Sequence, residues 1–296
     1  MAFLTNDPST GYQGDILSLN YIQPTIEAKS IWIPGLTTAF DVEVKGQTAY
    51  YYTSETFDIS EGEAGRKLGL EVTGGKRHSF DLDRSYGIGG IIPLVGHATV
   101  SEDLIGRKLV DSATGVIAAD NRKGLAAMVN GIVKKDVSGT GAYEQVVNAV
   151  EKFNSDNAVK FVNAEGAKVD ELDETHKKAV GGWVATTLIA GPSFYAKLQK
   201  CEEFSRWAPG QTQFSANEAV VGRVAGLDVV YTTALPTDVE FIVMNPNGFL
   251  APKGVSATEV FDKVEGRPGA ILAQSEMVYG YKQLDTNQIH VYNKIV

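Results

Sequence analysis

The sequence predicts an α+β fold, on three observations. A stretch over 102–134 carries apolar residues at helical spacing, and the segments before it alternate at strand spacing. In the second half, strand-like runs are separated by helix-forming segments without the regular alternation of a doubly wound sheet. With 296 residues, 43% hydrophobic and 21% charged, the chain is long enough for two or three packed units and has the composition of an ordinary folded protein.

Residues 1–39 mix Pro, Gly, Asn, Ser and Thr with isolated anchors such as Tyr21, Ile31, Trp32 and Ile33, and no period lasts. They predict an extended arm whose apolar groups dock on its own body or on a neighbour, the neighbour being the more informative option. Phe40, Val42 and Val44 alternate with Asp41, Glu43 and Lys45, predicting a half-exposed strand that turns at Gly46, and Tyr50, Tyr51 and Tyr52 extend it. A second alternation runs through Phe80, Leu82, Tyr86 and Ile88. Between the two, Glu61 to His78 holds Gly62, Gly65, Gly69, Gly74 and Gly75 among charged residues. The whole reads as a long β-hairpin that needs support from outside itself.

Ser101, Glu102 and Asp103 form a helix start, and Leu125, Met128, Val129, Ile132 and Val133 continue one apolar face, predicting a single long helix over about 102–134. Gly106, Gly115 and Gly124 each weaken it by about 1 kcal/mol, which leaves a bend or a split open. A second helix, with Tyr143, Val146, Val147 and Val150 on one face, ends near Asn154 and is expected to pack on the first. Residues 168–181 are polar and helix-compatible. From Val184 the text is β again: VATTLIA, VVGRVAGLDVVYTT, DVEFIVMN and QIHVYNKI.

Composition excludes several function classes. Net charge is −9 and the 27 Lys and Arg residues are dispersed, which argues against DNA binding through a basic surface. The N-terminus has no basic cluster followed by an apolar run, and nowhere do 18 apolar residues follow one another, so neither secretion nor a membrane span is expected. The one cysteine, Cys201, excludes an intrachain disulfide, a zinc ribbon and a CxxC pair, and reads as a half-buried thiol.

Chemical motifs are sparse. Ser193 in Gly191-Pro192-Ser193-Phe194-Tyr195 lacks the trailing glycine of a nucleophile elbow, so a strand end explains it better. Gly87-Ile88-Gly89-Gly90 and Gly139-Thr140-Gly141 fall short of a phosphate cradle and read as turns. His78, His97, His176 and His290 have no metal-ligand spacing. Glu61 with Glu63 and Asp81 with Asp83 read as solvated charge. No catalytic, cofactor-binding or metal-binding residue is assigned, no cofactor is expected, and the chain is not read as an enzyme.

Taken in order, these pieces resemble the HK97-like fold of tailed-phage major capsid proteins. The most specific stretch is TTLIAGPSFYAKLQKCEEF together with GRVAGLDVVYTTALPTDVEFIVMNPNGFLAPKG, within 186–254. There a strand over Thr187–Ala190 leads into Pro192 and a helix with Tyr195 and Leu198. Val224 to Val230 and Leu235-Pro236 resemble that family's rhythm, with Gly226 suited to a tight turn and Pro236 to an edge or loop. The resemblance implies an N-terminal arm (1–39), an extended β-hairpin loop (40–92), a peripheral domain with a spine helix (93–180), an axial domain (181–265), and C-terminal strands returning to the peripheral domain (266–296).

It further implies a non-enzymatic shell protein that assembles with copies of itself, as pentamers and hexamers, into an icosahedral head in the host cytoplasm. That head would enclose double-stranded DNA without sequence-specific binding, become part of the virion, and have portal and scaffolding proteins as partners. An acidic inner wall would repel packaged DNA. Some such capsids carry Lys to Asn cross-links, and Lys67 and Lys76 lie in the projecting loop, but nothing assigns them to one. No long helical scaffolding segment precedes the arm, which implies a separate scaffold or none. Within the same fold the alternative is an encapsulin shell, against which Pro8, Gly11, Gly14 and Pro24 interrupt any N-terminal lining helix. A monomeric ligand-binding protein or hydrolase is the alternative from another class, and it leaves arm and hairpin without partners.

Overall fold

The computed structural model describes residues 21–32, 42–54, 75–92, 102–162, 168–169, 178–206, 219–255, 259–261 and 271–294. The described residues open with a short helix α1 (Gln23–Lys29), followed by a three-stranded antiparallel sheet, β1 (Val42–Lys45), β2 (Thr48–Ser54) and β3 (Gly75–Asp81). Strand β4 (Arg84–Ile92), the spine helix α2 (Glu102–Val129) and α3 (Ala142–Asp156) follow. A small sheet comes next, β5 (Lys160–Val162), β6 (Lys168–Val169) and β7 (Lys178–Val180), and then β8 (Thr187–Ala190), α4 (Pro192–Leu198) and β9 (Ser205–Arg206). The second half adds β10 (Val220–Val224), β11 (Leu227–Tyr231), β12 (Val239–Met244), β13 (Phe249–Leu250), β14 (Lys253–Val255) and β15 (Glu259–Phe261). It ends in β16 (Ile271–Tyr279), β17 (Lys282–Gln283) and β18 (Ile289–Asn293).

The main sheet has six strands in the order β18-β12-β8-β11-β10-β9, and β8 runs parallel to β11. The runs TLIA and VEFIVM are buried at every position, because the sheet is covered on both faces. On one face Ile189, Ile242, Met244, Ile289 and Val291 pack with Leu125 and Met128 of α2. On the other, Leu188, Phe241, Val243 and Tyr292 pack with Val146, Ala149 and Phe153 of α3 and Phe194 and Leu198 of α4. Between β10 and β11 the chain reverses through Ala225 (φ 47°) and Gly226 (φ 81°), the left-handed pair that a two-residue hairpin requires.

A second layer pairs β4 with β16 over nine residues, from Arg84 opposite Tyr279 to Ile92 opposite Ile271. Ile88, Ala273 and Met277 from this pair meet Leu109 and Ala113 of α2 and Ile22 of the arm in a separate cluster. The spine helix therefore packs on the six-stranded sheet with its C-terminal half and on the β4–β16 layer with its N-terminal half.

Several expectations are corrected. The helix is one unbroken element, and it stops at Val129 because Gly131 takes a left-handed conformation (φ 75°); Val133 lies beyond it, 83% exposed. Its glycines do not split it, and two of them admit aromatic rings. A Cβ at Gly106 would clash with the Tyr21 ring and one at Gly124 with Trp32 and Tyr281, whereas nothing lies near Gly115. The arm was read as extended, docking on its own body or on a neighbour; its described part, 21–32, contains the helix Gln23–Lys29 and docks on its own spine helix, with Ile22 and Ile31 buried. Pro24 at the start of that helix lacks only an N–H that no helical partner would use.

Helix α3 packs on the face of the sheet opposite to α2, because Val146, Ala149 and Phe153 are apolar toward β12. Segments 168–169 and 178–180 are strands, since pairing with Lys160–Val162 overrides a weak helical preference. The alternation from Phe80 to Ile88 is broken at Leu82, where the chain leaves one sheet for another. Gly87–Gly90 is the interior of β4, not a turn. Of the C-terminal strands, β16 pairs with β4 beside the N-terminal half of the spine helix, while β18 pairs with β12, with Ile289 and Val291 on the face of the main sheet that meets α2 and Tyr292 on the other. Residues 61–74 of the hairpin tip, along with 1–20 and 33–41, lie outside the described residues, and 75–78 belong to β3.

Gly124→Ala and Gly115→Ala carry the same change into the same helix with opposite expected signs. In urea unfolding the first should cost about 1–3 kcal/mol by overpacking against rigid rings. The second should gain about 0.5–1 kcal/mol from helix propensity alone.

Candidate assembly site

The described arm is held by side chains of the spine helix and of the C-terminal strands. Asn121 accepts from the Ile31 N–H through Oδ1 and donates to the Lys29 carbonyl through Nδ2, both at 3.4 Å, so its amide serves the arm as a strand neighbour would. One residue earlier, Asp120 is wholly buried. Lys253 Nζ lies 2.6 Å from its Oδ2 and donates to Ser30 Oγ at 2.8 Å, while the Tyr281 hydroxyl donates to Oδ1 at 2.5 Å. Trp32, Phe249 and Tyr279 pack around the Tyr281 ring at 5.4–6.2 Å between centroids. Burial lowers the pKa of Lys253, with the Asp120 carboxylate opposing, and burial followed by the same carboxylate pushes the Tyr281 hydroxyl far above the usual phenol range. The signal in the sequence was an acid at position 120 between Ile117 and Leu125, on the apolar face of the helix.

The hairpin sheet has two unlike faces. Ala49, Tyr51, His78 and Phe80 share the inner face, where Tyr51 stacks on His78 at 5.0 Å and Thr53 Oγ1 lies 2.8 Å from His78 Nε2. Its root is fixed where Leu82 and Phe80 lie against Gly280 and Val44 against Gly254. On the outer face the Arg77 guanidinium sits 3.9 Å above the Tyr50 ring and 5.9 Å from that of Tyr52, which is 50% exposed.

A third polar group lies beside β18. Lys135 Nζ is 2.8 Å from Asp156 Oδ2 and 2.8 and 3.0 Å from the two ring nitrogens of His290, and Lys152 holds the other Asp156 oxygen at 3.0 Å. Burial, followed by the Lys135 charge, lowers the His290 pKa to about 4, with Asp156 opposing. Burial raises the Asp156 carboxyl, but Lys135 and Lys152 outweigh it and bring its pKa down to about 2.

Among the described residues, Ser193, Cys201, His78 and His290 are not brought together. Ser193 is exposed in the first turn of α4, Cys201 is half-buried with Sγ 3.5 Å from the Lys197 carbonyl, and His78 and His290 belong to different sheets. Asp81 accepts from Thr48 Oγ1 at 3.2 Å, and Asp83 lies 3.9 Å from Arg84. His97, His176, Glu61, Glu63 and Lys67 lie outside the described residues, and Lys76 is exposed on β3. Among the described residues no three His, Cys, Asp or Glu side chains are grouped to hold a metal, and no helix is long and apolar enough to cross a membrane.

Lys253→Met should lower stability by about 3–5 kcal/mol, because it strands the Asp120 charge in the core, and Asp120→Asn added to it should recover most of the loss in urea unfolding. The pH dependence follows from His290. Its folded pKa of about 4 lies below the unfolded 6.5, so the unfolded chain takes up the proton first and stability falls as pH drops from 6.5 to 4. The loss at pH 4 should be about 3 kcal/mol, and His290→Gln should flatten this slope in thermal melts.

No protein-family model matches the sequence, and no curated protein matches it. Solved structures do. A chain of the capsid structure of cyanophage P-SCSP1u matches with a TM-score of 0.52 at 12% identity, covering 90% of this chain and 88% of that one. The virus-like particle from Pyrococcus furiosus matches at 0.51 and 14% identity, over 95% and 98% of the two chains. A structure from Mycobacterium phage Bobi matches at 0.51 and 11% identity, over 91% and 92%. Each likeness spans nearly the whole length of both partners, so arm, hairpin, spine helix and sheet belong to one shared architecture: the chain has the α+β HK97-like fold of phage capsid proteins.

Proposed function

We propose that this chain is the major capsid protein of a tailed phage, a structural protein without catalytic activity that assembles with copies of itself into an icosahedral head around double-stranded DNA. The observation that carries the reading is the near-full-length likeness to the cyanophage capsid chain. The geometry supports it. A sheet covered on both faces and a long spine helix make a rigid body, while the hairpin projects an exposed aromatic and cationic face that this body does not cover. Heterologous contacts between such subunits close into rings of five or six, and a sealed shell needs roughly 2,000 Å² or more of buried surface per subunit. The net charge of −9 suits containment of DNA better than grip. Portal and scaffolding proteins are the further partners in this reading, with assembly in the host cytoplasm and the virion as the final location.

A second reading is a shell that stores protein cargo, favoured by the likeness to the Pyrococcus furiosus virus-like particle over 95% of this chain. Electron microscopy of the protein expressed alone and with its neighbouring genes, followed by nuclease protection, separates the two. Closed shells with nuclease-resistant DNA are the expected result. Shells filled with protein would favour the storage reading, and compact monomers under every condition would remove both.

A further inference from the structure

The buried pair behind the arm has the parts of an amide bond. The Asp120 side chain has no exposure and that of Lys253 is 12% exposed, whereas Lys197 opposite Glu240 is 49% exposed and Lys135 opposite Asp156 is 30% exposed. Those two pairs are open to water. At Asp120 an amine and a carboxyl are held together away from it, where both gain by becoming neutral, and burial already lowers the Lys253 pKa against the opposing carboxylate. The contact is also unlike an ordinary salt bridge. Nζ lies 2.6 Å from Oδ2, yet Oδ2 accepts no hydrogen bond among the described residues, while Nζ donates to Ser30 Oγ at 2.8 Å. The other carboxyl oxygen, Oδ1, accepts from the Tyr281 hydroxyl at 2.5 Å, and burial keeps that phenol protonated. The rings of Trp32, Phe249 and Tyr279 around Tyr281 make the surroundings apolar.

We propose that Lys253 and Asp120 condense into an isopeptide bond within one chain, joining Nζ to Cγ with loss of one water. A proton passes from the ammonium to Oδ2, leaving a neutral amine beside a carboxylic acid. The Nζ lone pair then attacks Cγ, and the charge that develops on Oδ1 is held by the Tyr281 hydroxyl, which is in place before the reaction begins. A second Nζ proton moves to Oδ2, which leaves as water. The third remains as the amide N–H beside Ser30 Oγ. The product replaces an ion pair that is costly to keep in a core with a neutral amide. It ties the spine helix to β14 across 133 positions of sequence, next to Ser30 of the arm. The bond belongs to the single subunit and does not depend on the shell reading.

Mass spectrometry of the purified full-length chain tests it. The intact mass should lie one water below the value its sequence requires. Trypsin should leave the bond after Lys253 uncut and release a branched peptide that joins the segment of Asp120 to that of Lys253. Lys253→Met combined with Asp120→Asn, which leaves no charge in the core, should show the full mass and no branched peptide. Tyr281→Phe should slow the growth of the joined fraction by about a hundredfold, the usual effect of removing a donor from a developing oxyanion. A wild-type chain of full mass that trypsin cuts after Lys253 would overturn the bond. So would loss of one water without a branched peptide, the mark of a succinimide elsewhere in the chain. An undiminished rate in Tyr281→Phe would overturn the role given to that hydroxyl.

Discussion

A helix can carry aromatic rings against its backbone only where its own Cβ atoms are missing, and the rest of this fold depends on two such places. Gly106 and Gly124 lie eighteen positions apart on the spine helix; the first is occupied by Tyr21 and the second by Trp32 and Tyr281. Each glycine weakens the isolated helix by about 1 kcal/mol, which burial of a large ring more than offsets. The consequence is topological. The arm segment 21–32 is bound into the core, with Ile22 in the layer of β4 and β16 and Ile31 in the cluster of the main sheet. The spine helix thereby joins the two layers with the arm laid along it.

Asp120 and Asn121 sit between those two notches and give the same surface its polarity. A buried carboxylate is costly unless fully paired, and here one ammonium and one hydroxyl from Lys253 and Tyr281 reach it from separate elements. An ion pair of this kind specifies register more than it adds stability, because sliding the arm or β14 by one residue would leave a charge alone in the core. Aromatic packing from Trp32, Phe249 and Tyr279 keeps water away and makes that penalty large. The polar group around His290 acts in the same sense at the edge of the main sheet, where Lys135 and Asp156 tie the last strand to the loop after the spine helix and to α3.

Against this rigid centre, the outer face of the hairpin and that of β4 and β16 stand exposed among the described residues. The hairpin root is fixed on Gly254 and Gly280, whereas its outer face holds a cation over two tyrosines without a partner element above it among the described residues. Division of labour of this kind suits a subunit that meets copies of itself. The body must keep its shape under load, and the contact surfaces must stay available until a neighbour arrives.

Much of this architecture was legible locally. The strand runs TLIA, VVGRV, LDVVY, VEFIVM and IHVYN, the turn at Gly226, the helix opening at Pro192 and the start of the spine helix follow from periodicity, capping and turn chemistry, which act over a few residues. What chain neighbours cannot encode is which surface an element meets. The sequence showed glycines at 106 and 124 but not the rings that fill them, and an acid at 120 but not the lysine 133 positions later that pairs with it. The same limit left open whether the arm docks on its own body or on a neighbour, and it packed α3 on the spine helix when α3 lies on the opposite face of the sheet. It also made a turn of Gly87–Gly90, whose strand pairing is with residues 273–276, nearly two hundred positions away. Local dihedral preference and side-chain alternation belong to the sequence by itself. The pairing of distant groups was decided only by tertiary structure, because burial and charge compensation are properties of the packed whole.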